Sequence, residues 1–377
     1  MRKVETLVIG GGIAGLSAAA RFARHGEVMV LEGEEVPGYH ASGRSAAWLH
    51  FGLGDTLVRA LTAASLPVLA AEPADGSPRA ALPHAALHIA RTGQDEALAA
   101  LEASHRMFAA DYQRIGAQEI AELVPVLDTG PGGFASAILE RSALKLDTDA
   151  MLQGHRRALA AHGGAIEFRA RVGKIAHREG RWQVDTAGES YSAARLVNAA
   201  GAWADTIAGL AGVAPLGIRP LRRTIIRFAA PEGLDVSGWP FTKTVGEGFY
   251  MLPDGPARLL ASPMDETPSE PCDAAPEELD VAVAADRVMS ASTIDIRRIE
   301  HSWAGLRSFA PDSHPVVGFD RAAPGFFWLA GQGGFGFQTS PALASAAEAL
   351  LCGLEWPEEL AALGVEAGAI GPQRFAR

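Results

Sequence analysis

The sequence predicts an α/β region joined to an α+β region, and three observations carry that prediction. Residues 1–35 read as strand, glycine-rich turn, helix and strand. Residues 216–306 run through β-like segments interrupted by an acidic helix. Near the end, "GQGGFGFQTSP" (331–341) places four glycines and two phenylalanines before the small-residue run "ALASAAEALL".

A chain of 377 residues is too long for one small core and implies two domains, or one large domain with an insertion. Hydrophobic residues at 48% and charged residues at 20% mark a soluble globular protein. A net charge of −11 with no offsetting basic block argues against nucleic acid and anionic membranes as partners. The two cysteines, Cys272 and Cys352, make no CxxC pair and no disulfide framework. No metal is therefore expected, and a reducing cytoplasm is the expected location. No apolar run reaches the length of a membrane span. "MRK" with the apolar stretch after it imitates a signal peptide, but Glu5 and the glycine triplet interrupt that stretch.

Leu7, Val8 and Ile9 form the first buried strand. Gly10, Gly12 and Gly15 follow as G-x-G-x-x-G, and Ile13 to Arg24 reads as helix. Ala14, Ser17, Ala18 and Ala19 supply small residues where that helix must pack on a sheet. "EVMVLE" is the second strand, ending at Glu32 beside Gly33. Gly10 permits the tight turn, and Gly12 lets a pyrophosphate approach the N–H groups of the helix start. Gly15 allows close helix–sheet packing, and Glu32 stands where a carboxylate accepts from an adenosine ribose. A lone G-x-G-x-x-G is weak evidence; its position between strand and helix, with the acid in place, makes a dinucleotide site the expected reading.

"PGYHASGRSAAW" (37–48) follows as a polar loop running into an expected helix at 44–47. A second anion-binding helix start suits a long extended cofactor and favours FAD, with Ser42, Gly43, Arg44, Ser45, Ala46 and Ala47 along it. "DTDAMLQGHRRALAAHGG" (147–164) is an acid-capped amphipathic helix ending in a glycine pair. The strands "AIEFRARVGKI", "RWQVDT" and "ARLVNAAG" come next. Then "RRTIIRFAA", "GFYMLP" and "RLLASP" alternate as strands around the helix "APEELDVAVAADRVM".

Taken together, "GYHASGRSAAW", "LVNAAGAWAD", "IAGLAGVAPLGI", "SWAGLRSFAPD" and "GQGGFGFQTSP" resemble the D-amino acid oxidase/glycine oxidase family of flavoenzymes. Within it, they resemble most the bacterial D-arginine dehydrogenase group. The resemblance covers nearly the whole chain. It implies a Rossmann-like FAD domain built from discontinuous segments (1–83, 144–215 and 307–377) and a mixed-sheet substrate domain (84–143 and 216–306). It also implies non-covalent FAD, with Val172 near the adenine and Ala200, Gly201 and Trp203 passing the cofactor. The late turn would face the pyrimidine end of the flavin ring, where Gly333, Gly334, Gly336 and Phe337 bring backbone N–H groups close. Gln338 and Thr339 would add polar contacts there.

A substrate carboxylate is best held by planar, bidentate, permanently charged groups. "PLRRTIIRF" offers Arg222, Arg223 and Arg227. Arg222 and Arg223 point to opposite faces of a strand, so only one enters a given pocket, and spacing does not say which. The resemblance selects Arg222, with Arg307 and Tyr250 as its partners. It implies hydride transfer from the α-carbon to flavin N5, with the Gly334 carbonyl accepting from the amino group. Orientation then carries most of the rate and no strong side-chain base is needed. Among His40, His50, His88, His301 and His314, His50 follows the flavin-side helix within reach of the pocket, but a structural or surface role is the expected one.

Three positions depart from that group's pattern. Trp48, Leu53 and Ala86 stand where the group has a histidine, a lid tyrosine and a glutamate. The glutamate pairs with a cationic substrate side chain, so the preference for arginine is expected to be lost. "AWLHFGL" facing "AALHI" reads as an apolar, aromatic pocket for a neutral or hydrophobic D-amino acid. A secondary amine such as sarcosine or proline, or a 2-hydroxy acid, would use the same clamp. A flavin-binding protein without turnover is the reading from another class. The electron acceptor, a quinone, a dye or oxygen, stays open, because oxygen reactivity depends on charge and access at the flavin.

Overall fold

The computed structural model describes residues 1–72, 78–108 and 110–375. The expected segments 1–83, 84–143 and 307–377 each include at least one position outside these. Two large sheets organise the chain. The first has eight strands, of which five run parallel: Phe326–Ala330, Ser190–Asn198, Arg2–Ile9, Val28–Leu31 and Ala165–Glu167, in that order. An antiparallel extension, Arg181–Thr186 and Val172–Arg178, lies beyond Ser190–Asn198. The parallel strands are continuous apolar runs because both faces are covered. Helices Ile13–Phe22, Thr148–Ala161 and Gly336–Cys352 share one core with one face, through Leu16, Met151 and Leu343. Trp182, Ile207 and Trp328 build the core on the other.

Local signals set the ends of these elements. Asp147 caps Thr148–Ala161 by accepting from the Ala150 N–H at 2.9 Å. Gly353, at φ +68°, ends Gly336–Cys352 in the left-handed conformation. The first helix stops at Phe22, two residues short of the expected Arg24.

The second sheet has ten strands and is mixed. Its order is Gln332–Gly333, Ile299–Phe309, Arg219–Ala229, Arg258–Ser262, Tyr250–Pro253, Phe241–Thr244, Ala86–Arg91, Phe134–Glu140 and Tyr112–Gly116. Thr267–Pro268 pairs beside Arg219–Ala229. Pairing is antiparallel except between Phe241–Thr244 and Ala86–Arg91. Helix Glu278–Met289 buries one face, packing Ala284 and Val288 onto Ile226, Phe228 and Leu259. The other face lines a large cavity. Ile299–Phe309 is one unbroken strand, so a limit between residues 306 and 307 would cut it. The late glycine turn hangs from the edge of this sheet, since Gly333 pairs with Ser308 and Gln332 with Phe309. That pairing joins the two halves of the site.

Candidate active site

The glycine turn after Arg2–Ile9 is as tight as its sequence requires. Gly10 sits at φ +111°, and a Cβ there would stand 2.3 Å from the Ala199 carbonyl oxygen. A Cβ on Gly15 would be 1.9 Å from the Gly10 oxygen, so this glycine serves helix–strand contact and does not line the cleft. Gly12 caps helix Ile13–Phe22 without a side chain, and the Ile13 N–H donates to Ser42 Oγ at 3.0 Å. Glu32 is anchored at both oxygens: the Gly11 N–H donates to Oε2 at 2.8 Å and the Glu34 N–H to Oε1 at 2.9 Å. A fixed carboxylate at the end of the second strand is thereby presented to a cleft of about 270 Å³. Gly33, Val172, Ala200, Gly201 and Trp203 line the same cleft.

This cleft runs into the second cavity, of about 1070 Å³; both are bordered by Gly12, Ser42, Arg44 and Gly201. Ile13, Ala14, Ser45, Ala46 and Ala47 line the second cavity, and Gly333, Gly334, Gly336, Phe337 and Gln338 close its far end. The two lobes together would take an extended dinucleotide, with Glu32 as the residue to hold a ribose and the late turn as the element to meet the ring system.

Several expected contacts are corrected here. Residues 44–47 do not form a helix. A short 3₁₀ turn, Ser42–Arg44, gives way to extended Ser45 and to Ala47 at φ +51°, because Trp48–Leu49 must enter a strand beside Leu144–Leu146. Gly43 packs under the Gly38 carbonyl and does not border the cavity. The Arg44 guanidinium is bound to Asp273 and to the Ala274 and Ala304 carbonyls. Thr339 turns its hydroxyl back onto the Phe335 carbonyl at 2.8 Å and lies outside the cavity lining. Gln338 borders the cavity, but its side chain donates to Thr62 Oγ1 at 2.8 Å, tying the late helix to helix Thr56–Ala70.

The arginine chosen by resemblance is also corrected. On Arg219–Ala229, residues 222, 224, 226 and 228 face the core under helix Glu278–Met289. Arg222 is on that side, with Asp280 accepting from Nη2 at 3.0 Å and Glu277 from Nη1. Arg223 takes the cavity face, with Arg219 and Leu221. Arg223 Nε donates to the Asp265 carbonyl at 2.7 Å. Arg307, on the neighbouring strand, lines the same wall, as does Tyr250. Glu266 Oε1 accepts from Arg223 Nη2 at 3.1 Å and from Arg307 Nη1 at 2.9 Å. Burial, reinforced by Arg223, pushes the Arg307 guanidinium down to about 10. It remains a cation at neutral pH.

Trp48, His50 and Leu53 line the cavity, and Ala86 lies fully buried behind Trp48 and Phe241. Lys243 was not anticipated. It lies opposite Tyr250 on one side and His88 on the other, so it shares the cavity face with Tyr250. Burial, with Arg223 and Arg307 adding to it, brings its ammonium down to about 8. Its sequence signal was faint: in "FTKT" it stands two residues after Phe241, on the same face of a short strand.

Behind His50 lies a buried polar cluster. Glu140 accepts from His105 Nε2 at 2.7 Å, from His88 Nε2 at 3.3 Å and from the Phe51 N–H at 3.1 Å. Burial would raise its carboxyl, but the hydrogen bonds from His105 and His88 outweigh burial and hold it well below the usual range. Burial pushes His50 well down as well, so it is neutral, and its Nδ1 accepts from the Gly52 N–H at 3.1 Å. His50, His88 and Glu140 place ligand atoms within 4.8 Å of one another. Because Glu140 is already satisfied by three donors, the cluster is explained as a hydrogen-bond network. The other histidines weighed earlier lie apart: His40 against Trp203 at the nucleotide end, His301 stacked on Trp303, and His314 paired with Asp55.

A parallel nucleotide-binding sheet, opened by a glycine turn and continued into a cationic cavity under a mixed sheet, defines a dinucleotide-dependent enzyme. The family model described as FAD dependent oxidoreductase matches residues 5–350, and the chain belongs to that family. FAD is its cofactor. The fold is similar to that of dithionite-reduced L-α-glycerophosphate oxidase from Mycoplasma pneumoniae with FAD bound (TM-score 0.83, 17% identity, 93% of this chain and 95% of that chain). It is also similar to glycine oxidase from Geobacillus kaustophilus (TM-score 0.80, 21% identity, 97% and 99%). Iminodiacetate oxidase from Chelativorans sp. BNC1 is a third (TM-score 0.77, 22% identity, 94% and 97%). At these identities the likeness is one of fold. Among the described residues, no helix is long and apolar enough to cross a membrane.

Proposed function

We propose that the protein oxidises the amine of a carboxylate-bearing substrate, in the first instance a D-amino acid, to an imino acid that water hydrolyses to a 2-oxo acid and ammonia. One observation carries this reading: Arg223, Arg307 and Tyr250 line one wall of a cavity that ends on the Gly333–Gln338 turn. Two guanidinium groups and a phenol suit a carboxylate, the group that amino acids share.

Arg307 lines the cavity with its Nη1 held by Glu266 and its guanidinium packed on Gly334, which fixes the plane of the fork. Arg223 is fixed from behind by the Asp265 carbonyl. Tyr250 is braced against Phe241, with ring centroids 5.4 Å apart, and offers its hydroxyl as a further donor. A carboxylate held there places the amine toward the Gly334 carbonyl, which accepts from it. Bound FAD supplies the electrophilic ring that takes a hydride from the amine-bearing carbon. The first N–H groups of helix Gly336–Cys352, whose N-cap Phe335 provides no side-chain cap, would stabilise negative charge on a flavin ring bound at the turn. Rate arises mainly from orientation and fixed charge.

The test is anaerobic titration of the yellow holoprotein with D-amino acids, L-amino acids, secondary amines and 2-hydroxy acids, one at a time. Bleaching of the flavin by D-amino acids, with 2-oxo acid and ammonia as products, is the expected outcome. Bleaching only by an L-amino acid, a secondary amine or a hydroxy acid would replace the substrate while keeping the clamp. A flavin that none of them bleaches would overturn the reading.

A further inference from the structure

The cavity holds a lysine that the carboxylate clamp does not use. Arg223 and Arg307 converge on one point, and Glu266 bridges them there. Lys243 enters the same cavity from the next part of the sheet, between the registers of Tyr250 and His88. Its Nζ donates to the Thr244 carbonyl at 3.2 Å, and among the described residues no carboxylate lies within salt-bridge distance of it. Three of the acids that line the cavity are engaged elsewhere: Asp265 with Thr224, Asp280 with Arg222, and Glu266 with the two arginines. The fourth, Glu247, lies in the turn after Thr244, and no ion pair joins it to Lys243.

Placing a lysine without an anion close to two arginines is costly. Such a charge is retained where a ligand supplies the counter-ion. The substrate's amine cannot be the group beside it, because a protonated amine would be repelled. Lys243 shares a face of its strand with Phe241, which stacks on Trp48 and lies against His50. With the amine at Gly334, the substrate's side chain would lie along this aromatic wall.

We infer that Lys243 is a specificity-determining residue that binds a second carboxylate, so that the preferred substrates are dicarboxylic amines, such as acidic amino acids. The inference rests on the proposed amine oxidation and deepens it. It also revises the expectation of a neutral or hydrophobic side chain: Trp48 and Phe241 cover the carbon stem, and Lys243 meets its end.

The experiment compares kcat/KM for aspartate and glutamate with their amides, asparagine and glutamine, in the enantiomer that bleaches the flavin. The acid is expected to exceed its amide at least tenfold in the unaltered protein. Lys243→Met is expected to reduce that ratio at least tenfold, and Lys243→Arg to restore part of it. Equal use of acid and amide by the unaltered protein, or a ratio unmoved in Lys243→Met, would overturn the assignment while leaving amine oxidation intact. A second readout needs no turnover. Succinate and glutarate should perturb the flavin spectrum of the holoprotein at least tenfold more tightly than butyrate, and Lys243→Met should abolish the difference. No such difference in the unaltered protein counts against Lys243 even if no amine proves to be a substrate.

Discussion

Arg307 lies directly over Gly334. A Cβ built on that glycine would stand 1.5 Å from Arg307 Nη2 and 2.1 Å from Cζ. The two residues are brought together by the pairing of Ser308 with Gly333 at the sheet edge. What the position requires is space, since Gly334 is not among the glycines with positive φ. Gly334→Ala is therefore expected to drive the guanidinium out of the clamp. Losing a charge-assisted hydrogen bond typically costs ~1.5–3 kcal/mol, so KM should rise about 10- to 100-fold. Steady-state kinetics decide this, and an unchanged KM would remove Arg307 from carboxylate binding.

The neighbouring arginines of the central strand make an internal comparison. Arg223→Lys replaces a fixed fork in the cavity with a point charge and should lower kcat/KM by roughly one to two decades. Arg222→Lys disturbs the contacts with Glu277 and Asp280 on the far face and should act on stability. Kinetics and thermal unfolding on both variants separate the roles. A larger kinetic loss in Arg222→Lys would reverse the assignment of faces.

Glu266 holds the position a substrate carboxylate would take between Arg223 and Arg307, and its side chain is half exposed. A bound substrate must displace or share it. Glu266→Gln weakens the internal contact, because charge-assisted bonds are about twice as strong as neutral ones. KM is expected to fall by up to about tenfold with little change in kcat. A rise in KM would mean that Glu266 mainly holds the arginines in place.

Lys243 also sets a pH dependence of stability. Arg223, Arg307 and Arg59 bear on it with burial, and His50, His88 and Tyr250 face it; its pKa falls from 10.5 to about 8. The folded protein therefore loses this proton before the unfolded chain does. Between those values the unfolded state binds more protons, so this group's contribution makes stability rise with pH across the window. Lys243→Met removes the penalty and should be the more stable protein at pH 7, by up to roughly 3 kcal/mol. Denaturant unfolding should show that gap narrowing as pH rises from about 8 to 10.5. A variant less stable than the parent at pH 7 would contradict it.

The nucleotide half of the site was legible in the sequence because its parts are local. Gly10, Gly12, Gly15 and Glu32 lie within two strands and one helix, and backbone sterics and helix-end charge dictate those residue types at that spacing. The late glycine turn was legible for the same reason. Thr339 misled because its hydroxyl had a partner one helical turn back, a bond that competes with any ligand.

The sequence by itself determined the cofactor, the strand-and-helix plan and the arginines that are candidates for a substrate clamp. Tertiary structure alone decided which of those arginines reach the cavity. Alternation along a strand leaves Arg222 and Arg223 equivalent until one face is buried, and helix Glu278–Met289, more than 50 residues further on, buries the face of Arg222. Lys243 enters the cavity only through its register with Tyr250 and His88. Glu140 gathers His88 and His105 from 52 and 35 residues away. Such contacts are set by how sheets pair and pack, and no local pattern of residue types encodes them.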